Sequence, residues 1–495
     1  MICVSIARGR HRQMMAEHRH LVEQGAQLVE LRIDYIRRDI SLKRLLGDRP
    51  SPVIITCRRL SDGGKWAGSE EARLMLLRSA IAEGVEYVDL EEDIAGDIPR
   101  YGKTKRIVSM HDFDSTPLDL ERIHARLAAL DADVVKIATM AQTPADNVRM
   151  LRLIRDSEVP TVGICMGEMG IPTRILAGRF GAPFTYATFH HERTLAPGQL
   201  SYRQMTDIYN YDAITRTTEV YGVVADPIGH SLSPVVHNAA FRRLASDRVY
   251  VPFRIPREQL EDFMLNCEEL GVRGLSVTIP HKENVLRYIG QADETVQGIG
   301  AANTVLFQNG QVVGYNTDAQ AAIDSLVAVL PSEPGDLPFQ YKTALILGAG
   351  GVARAVGYAL SRAGAEIVFA ARELSKAEEL ARRLEGRAVP WHTRGTVKAN
   401  VLVNATPVGM HPNVDEAPFE KRHLRPATIV FDTVYNPEQT LLIKQARQVG
   451  CAVVTGVDMF VRQAALQFKL FTGTEAPIDV MREEVRRAIG PYGRG

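Results

Sequence analysis

Eight short runs of β-forming residues, each followed by an amphipathic helical stretch, recur through roughly the first 210 residues and constrain the fold more than anything else in the chain. They lie at 2–7, 28–34, 53–58, 87–92, 106–113, 134–140, 161–167 and 184–189. Alternation of strand and helix implies parallel pairing, because a parallel neighbour needs a long crossover to bring the chain back. Eight such units in this length fit a closed (β/α)8 barrel better than an open sheet. Barrels of this kind work at the C-terminal ends of their strands, and polar side chains gather there: Glu30, Arg32, Arg58, His111, Lys136, and Arg174 just past the seventh run.

Lys136 sits inside a run that otherwise reads as a buried strand. In DVVKIATM, 133–140, period-two alternation puts Val134, Lys136 and Ala138 on one face and Val135, Ile137 and Thr139 on the other, so the ammonium enters an interior. Burial disfavours the charge, and a deprotonated amine is a nucleophile suited to Schiff-base chemistry on a carbonyl substrate. The competing reading is a lysine whose stem packs while its head reaches water.

Across essentially its whole length the first half resembles type I 3-dehydroquinate dehydratase. The matching stretches are ELRID from Glu30, SMHDFDSTP from Ser109, VVKIATM from Val134, MGEMGIPTR ending at Arg174, and APGQ ending at Gln199. The resemblance implies that Lys136 forms an imine with the substrate ketone and that His111 shuttles protons, a role suited to an imidazole near neutrality. It further implies that Ser5, Glu30, Arg32, Arg58, Arg174 and Gln199 hold the substrate's hydroxyls and carboxylate, an arginine fork being a natural carboxylate clamp. Asp62 is expected among the catalytic groups where the family commonly has glutamate, and Leu195 replaces a common serine, with Thr194 beside it.

A polar junction, 209–220, precedes a fresh strand at 221–225, and alternation then continues to Leu330. PSEPGDLPFQ, 331–340, reads as a linker. The strand 343–347 runs into GAGGVARA, where Gly348, Gly350 and Ala353 satisfy G-x-G-x-x-A between a strand and a helix. That context marks a dinucleotide site: glycines allow the tight turn and the close backbone approach, and the helix N-terminus attracts a pyrophosphate. Gly348, Ala349, Gly350, Gly351 and Val352 are its candidate contacts. The next strand, 366–370, ends without the acidic residue that would receive a 2′-hydroxyl; Arg372 and nearby Lys376 favour a 2′-phosphate and hence NADP, while Glu373 keeps NAD possible.

The stretch before this site, and the chain on to Phe471, resembles shikimate dehydrogenase. The motifs are SLSP from Ser231, SVTIPHK ending at Lys282, GAANT around Asn303, GYNTD ending at Asp318, NATPVGM from Asn404, and Gln463 with Ala464 and Ala465. Ala319 and Pro407 stand where the family commonly has glycine and serine. The resemblance implies that Lys282 and Asp318 manage the proton at the carbinol oxygen, that Ser231, Ser233, Thr278, Asn303, Tyr435 and Gln463 grip the substrate, and that Thr433 and Gly456 line the nicotinamide. The expected organisation is a barrel at 1–215, a substrate-binding subdomain at 220–330 to which a helix at about 457–490 returns, and a Rossmann subdomain at 340–456.

The two resemblances make one metabolic argument, because the enone leaving the first site is the ketone the second would reduce. The expected function is dehydration of 3-dehydroquinate followed by NADPH reduction to shikimate. Two alternatives stand beside it: quinate oxidation with NAD, and a non-catalytic sensor on the same folds, which the presence of Lys136, His111, Lys282 and Asp318 disfavours. Lysine plus arginine equals aspartate plus glutamate at 59 each, so small-molecule substrates are expected and nucleic acid is not. Five isolated cysteines form neither a disulfide framework nor a zinc-ligand pair, and no metal is expected. Arg8, Arg10 and Arg12 interrupt the first apolar run, and no later run approaches a membrane span, so the expectation is a soluble cytoplasmic protein with no sequence signal for its oligomeric state.

Overall fold

All eight strands of the first half form: β1 Ile2–Ile6, β2 Leu28–Arg32, β3 Val53–Thr56, β4 Tyr87–Glu91, β5 Lys105–Asp112, β6 Val134–Met140, β7 Thr161–Met166 and β8 Thr185–Thr188. The computed structural model describes residues 1–229, 231–330 and 337–490, so six residues of the expected linker, 331–336, lie outside the described residues. It divides into two compact units centred on 1–222 and 273–495. The eight strands run in the order β7-β6-β5-β4-β3-β2-β1-β8, and each pair is parallel.

The sheet wraps around its own side chains. Cys3, Leu28, Ile54, Ile107, Val134, Ala138, Val162, Ile164, Phe184 and Tyr186 form one buried cluster, with Tyr87 packed against it. Tyr87 of β4 meets Phe184, just before β8, edge-on at 5.9 Å between ring centroids. Those strands are four places apart in the ladder, so the contact crosses a barrel interior. The period-two face assigned to Lys136 is therefore the interior face.

Helices cover the outside, and one carries a buried base. On the helix His11–Glu23, His18 is 2% exposed and its Nε2 lies 2.8 Å from Ser51 Oγ. Burial, aided by the Arg49 charge, pushes it down to about 4. Between pH 6.5 and 4 the unfolded chain takes up a proton here that the folded chain refuses, so this contribution to stability is full above 6.5 and is lost as pH falls. The loss should reach roughly 3 kcal/mol at pH 4, and His18→Gln should flatten it, as read from denaturation midpoints at pH 7 and pH 4.

The next sheet is mixed, in the order β10-β9-β11-β13-β14-β12, from β9 Glu219–Ala225, β10 Arg248–Arg254, β11 Val272–Val277, β12 Gln291–Ala292, β13 Thr304–Gln308 and β14 Gln311–Tyr315. The β9 strand begins two residues before the expected start, taking Glu219 and Val220 out of the junction. Antiparallel pairing of β13 with both β11 and β14 makes this sheet less regular than simple alternation suggests. A third sheet, wholly parallel, orders its strands β17-β16-β15-β18-β19-β20: β15 Thr343–Leu347, β16 Glu366–Ala371, β17 Arg387–Pro390, β18 Val401–Asn404, β19 Ile429–Asp432 and β20 Ala452–Val454. The order reverses between β15 and β18, the crevice where doubly wound sheets bind nucleotides. The expected single helix at about 457–490 is two, Gly456–Thr472 and Ile478–Ile489, because Gly473 ends the first in a left-handed conformation at φ 71°.

Candidate active sites

The barrel site is a cavity lined by Ser5, Glu30, Arg32, Arg58, Asp62, His111, Lys136, Arg174 and Gln199 together with Phe113, Tyr186, Leu195 and Ala196. Every barrel residue singled out from the sequence, apart from Thr194, is in that lining. Lys136 Nζ donates to Asp89 Oδ2 at 2.9 Å, lies 3.9 Å from Glu30 Oε1, and sits 4.3 Å above the centre of the Tyr186 ring. The ammonium is buried, as the strand face predicts, and lies among counter-charges and a π face. Asp89 is not left as a free base, for although burial would raise it, Arg58 and Lys136 hold it well below the usual carboxylate range. Ser5 and Thr56 donate to Glu30 at 2.5 and 2.7 Å, which fixes both its oxygens.

His111 and Lys136 come from adjacent strands, β5 and β6, with Ser109 opposite Lys136 and His111 opposite Ala138. Burial, then the charges of Arg58 and Lys136, push His111 well below its ordinary range, so at neutral pH the ring is uncharged. Arg58 Nη1 lies 2.9 Å from His111 Nδ1. A guanidinium can only donate, so Nδ1 is the acceptor and the ring proton sits on Nε2.

The three arginines differ in how far they are committed. Arg32 spends its fork on Asp34, at 2.9 and 2.8 Å, and Arg58 faces Asp89 at 2.9 Å and Glu91 at 3.7 Å. Arg174, 2% exposed, has no acidic partner among the described residues; one nitrogen reaches the Pro197 carbonyl at 3.3 Å and Nε has no partner. Burial pushes it down to about 10, still protonated at neutral pH. A buried, uncompensated guanidinium lining a cavity is a receptor for an anion. Asp62 is tied to Arg59 at 2.7 Å and to Ser61 at 3.0 Å, and Gln199 turns its carbonyl to the Leu195 amide at 2.9 Å.

In the second unit Lys282 Nζ donates to Asp318 Oδ2 at 2.5 Å. Asn303 Nδ2 donates to Thr317 Oγ1 at 2.9 Å and its Oδ1 accepts from the Thr317 amide at 2.8 Å, which seats the helix carrying Asp318; Thr317 Oγ1 in turn donates to the Gln463 carbonyl at 3.2 Å. Ser231 and Ser233 bond each other at a helix start, and Tyr435 packs on Phe460 at 5.1 Å. Thr278 is half-buried, its carbonyl accepting from the His281 amide. No hydrogen bond among the described residues joins Ser231, Ser233, Thr278 or Tyr435 to the Lys282–Asp318 pair.

The dinucleotide crevice is lined by Gly348, Ala349, Gly350, Arg372, Glu373 and Lys376, and also by Trp391, Arg394, Thr406, Pro407 and Met410. Its residues fit a nucleotide. Gly348 turns at φ 112°, and a Cβ there would sit 2.7 Å from the Ala405 carbonyl oxygen, while a Cβ on Gly350 would meet open space at the start of the helix Gly351–Arg362. Lys282 Cδ lies 3.7 Å from where a Cβ of Gly351 would be, so the glycine loop and the Lys282 site adjoin. Lys376 lines the crevice and pairs at its exposed edge with Glu373, three positions earlier, at 2.6 Å. Thr433 donates to the Asn404 carbonyl at 2.9 Å, and Gly456 is needed where a Cβ would collide with the Val434 carbonyl. Neither is in the crevice lining.

Sequence reasoning missed Asp89, Glu91, Tyr186 and Gln467. Gln467 donates to the Asn303 carbonyl and to Thr304, both at 3.0 Å, and accepts from Ser276 at 2.7 Å. The rule that found Lys136, a charge in an apolar strand, applies equally to Asp89 in YVDLE. Among the described residues no helix is long and apolar enough to cross a membrane, and no group of three or more histidine, cysteine, aspartate or glutamate side chains could hold a metal ion.

Four family models match the chain: type I 3-dehydroquinase at 2–216, the shikimate dehydrogenase substrate-binding domain at 223–305, an F420-dependent NADP oxidoreductase model at 342–435, and the shikimate 5′-dehydrogenase C-terminal domain at 456–486. A chloroplastic bifunctional 3-dehydroquinate dehydratase/shikimate dehydrogenase of Arabidopsis thaliana is 36% identical over 504 residues, covering 96% of this chain and 83% of that protein. An NADP(+) shikimate dehydrogenase of Methanopyrus kandleri is 42% identical over 285 residues, 55% of this chain and 97% of its own. A shikimate dehydrogenase crystallised with NADP+ superposes with a TM-score of 0.52 at 35% identity, covering 56% of this chain and 98% of that one.

Proposed function

The chain belongs to the bifunctional 3-dehydroquinate dehydratase/shikimate dehydrogenase family, and from that premise we propose how its residues perform the two reactions. It dehydrates 3-dehydroquinate to 3-dehydroshikimate and reduces that product to shikimate with NADPH, two steps of the shikimate pathway that leads to the aromatic amino acids. The observation that carries the assignment of roles is Lys136 inside the barrel between Asp89 and Glu30, with neutral His111 on the neighbouring strand.

After the Lys136 ammonium passes one proton to His111, the amine adds to the substrate ketone; the carbonyl oxygen takes that proton and a second from the nitrogen and leaves as water, and a protonated imine remains. Electron withdrawal by that imine makes the adjacent C–H acidic; its proton goes to a base, the resulting enamine expels the β-hydroxyl as a second water, and hydrolysis returns the amine and the enone. His111 is the proton carrier. At rest its Nε2–H only donates a hydrogen bond; the ring takes up the substrate proton at Nδ1 when Arg58 yields that lone pair, and the imidazolium so formed is the acid that protonates the departing hydroxyl. Arg174 receives the substrate carboxylate, while Arg32 and Arg58, already paired, shape the cavity and its field. Asp62, anchored on Arg59, lines the cavity.

In the dehydrogenase half NADP(H), when bound, supplies or accepts a hydride. Gly348, Ala349 and Gly350 would hold its pyrophosphate at the helix start, with Gly351 and Val352 opening that helix, and Arg372, which has no acidic partner among the described residues, would take the 2′-phosphate. Lys282 delivers the proton to the carbonyl oxygen and Asp318 orients and recharges it. Buried free thiols throughout suit a reducing compartment, which we take to be the cytoplasm.

Borohydride tests the first assignment, because it reduces an imine to a stable amine. Treatment in the presence of 3-dehydroquinate should add the mass of the trapped ketone, less one oxygen, to the peptide holding Lys136, and an adduct on another lysine would sink the assignment. Arg174→Gln should raise KM for 3-dehydroquinate about a hundredfold while raising the melting temperature, because it removes a buried charge that has no counter-ion. Steady-state kinetics and a thermal melt check both halves of that expectation.

A further inference from the structure

A second cavity at the C-terminal face of the barrel is lined by Gly9, Arg10, His11, Arg12, Arg38 and Arg44, none of which lines the cavity around Lys136. Two chain segments make it, one following β1 and one following β2. They are joined by two hydrogen bonds, Arg37 N–H to the Gly9 carbonyl at 3.2 Å and Ser41 N–H to His11 Nε2 at 2.9 Å. The adjacency of the two segments is therefore fixed, and the exposed side chains of Arg10, Arg12, Arg38 and Arg44 line the space between them. Neighbouring Arg8 and Arg49 pair with Glu17 and Glu86. The side chains of Arg10, Arg12, Arg38 and Arg44 take no acceptor among the described residues, no acidic residue lines the cavity, and Asp39, beside Arg38 in sequence, is outside the lining.

His11 adds a further donor to the lining. It is only 7% exposed, and because Nε2 accepts from Ser41, the ring proton is on Nδ1, which finds no acceptor in the described residues. The helix His11–Glu23 starts at the same place with no acidic residue in its first turn, and while the Gln13 and Met14 amides donate to the Arg10 carbonyl, those of His11 and Arg12 have no acceptor among the described residues. A cavity that presents only donors and positive charge selects an acceptor-rich anion, and four guanidinium groups exceed what a single carboxylate can use.

We propose that this cavity binds a phosphate-type dianion, at a site separate from both catalytic centres. The shared chemistry is a tetrahedral group with two negative charges, whether free inorganic phosphate or the phosphate of an ester. Titration calorimetry on the full chain tests it, with saturating NADP+ to fill the nucleotide crevice and sodium chloride to hold ionic strength constant. Inorganic phosphate, pyrophosphate and a sugar phosphate are the probes. Saturable binding is expected, and Arg12→Gln and Arg44→Gln should each weaken it about tenfold; Arg38→Gln gives a third, independent reading. Binding of phosphate and pyrophosphate without the ester assigns the site to a free inorganic anion, and equal binding of the ester assigns it to a phosphorylated metabolite. Absence of saturable heat, or binding undiminished in the Arg12→Gln, Arg44→Gln double variant, overturns the proposal.

Discussion

Lys136→Ala should abolish enone formation from 3-dehydroquinate, a loss of at least about 10⁴-fold, while the same protein consumes NADPH at the normal rate when given 3-dehydroshikimate. No other residue lining the cavity is an amine, so no neighbour can form the imine in its place. The loss should not come from unfolding. Removing the ammonium leaves Asp89 still facing Arg58 at 2.9 Å, and Glu30 keeps its bonds from Ser5 and Thr56, so the buried carboxylates stay compensated. Enone absorbance without nucleotide, then NADPH oxidation with supplied ketone, separates the two halves in one cuvette. Dehydration surviving within tenfold of the wild type would remove Lys136 from the chemistry.

The mirror experiment is Asp318→Asn, which should lower kcat for shikimate oxidation by about 10²–10⁴-fold and leave dehydration untouched. The substitution is nearly isosteric, and the Asp318 amide keeps its bond to Asn316 at 3.1 Å, so the helix start survives. What goes is the anion 2.5 Å from Lys282 that orients the ammonium and draws the proton back after each turnover. Asp318 does not line the dinucleotide crevice, so affinity for NADP+, followed by protein fluorescence, should hold. A rise in KM with kcat unchanged would instead make Asp318 a substrate anchor.

How far the sequence led can be judged residue by residue. The alternation of runs placed all eight barrel strands, because burial on one face writes period two directly into the residues. Lys136 stood out since its charge interrupts that pattern. Its partners did not, because pairing is a tertiary fact: Asp89 is 47 positions away, and Arg58 reaches Asp89 and Glu91 across β3 and β4. The arginines looked equivalent in sequence, and only their neighbours show Arg32 and Arg58 committed and Arg174 open. The same limit covers Lys376, which lines the crevice but whose pairing with Glu373, three positions away, no residue pattern announces. Gln467 escaped notice as one more polar residue in an amphipathic helix, although it holds Asn303, Thr304 and Ser276 together.

The long reach of Gln467 carries a consequence for synthesis. It meets Asn303 across 164 positions of chain. A ribosome adding about 5–20 residues each second needs on the order of ten seconds to cover that distance. The barrel has all its strands by Thr188 and can mature while translation continues, whereas the polar seam around Asn303 must wait, unsealed, for the helix Gly456–Thr472 to emerge. In a nascent chain, dehydration therefore becomes possible well before reduction, and any stall in translating the last fifth of the message would release a polypeptide competent for one reaction only.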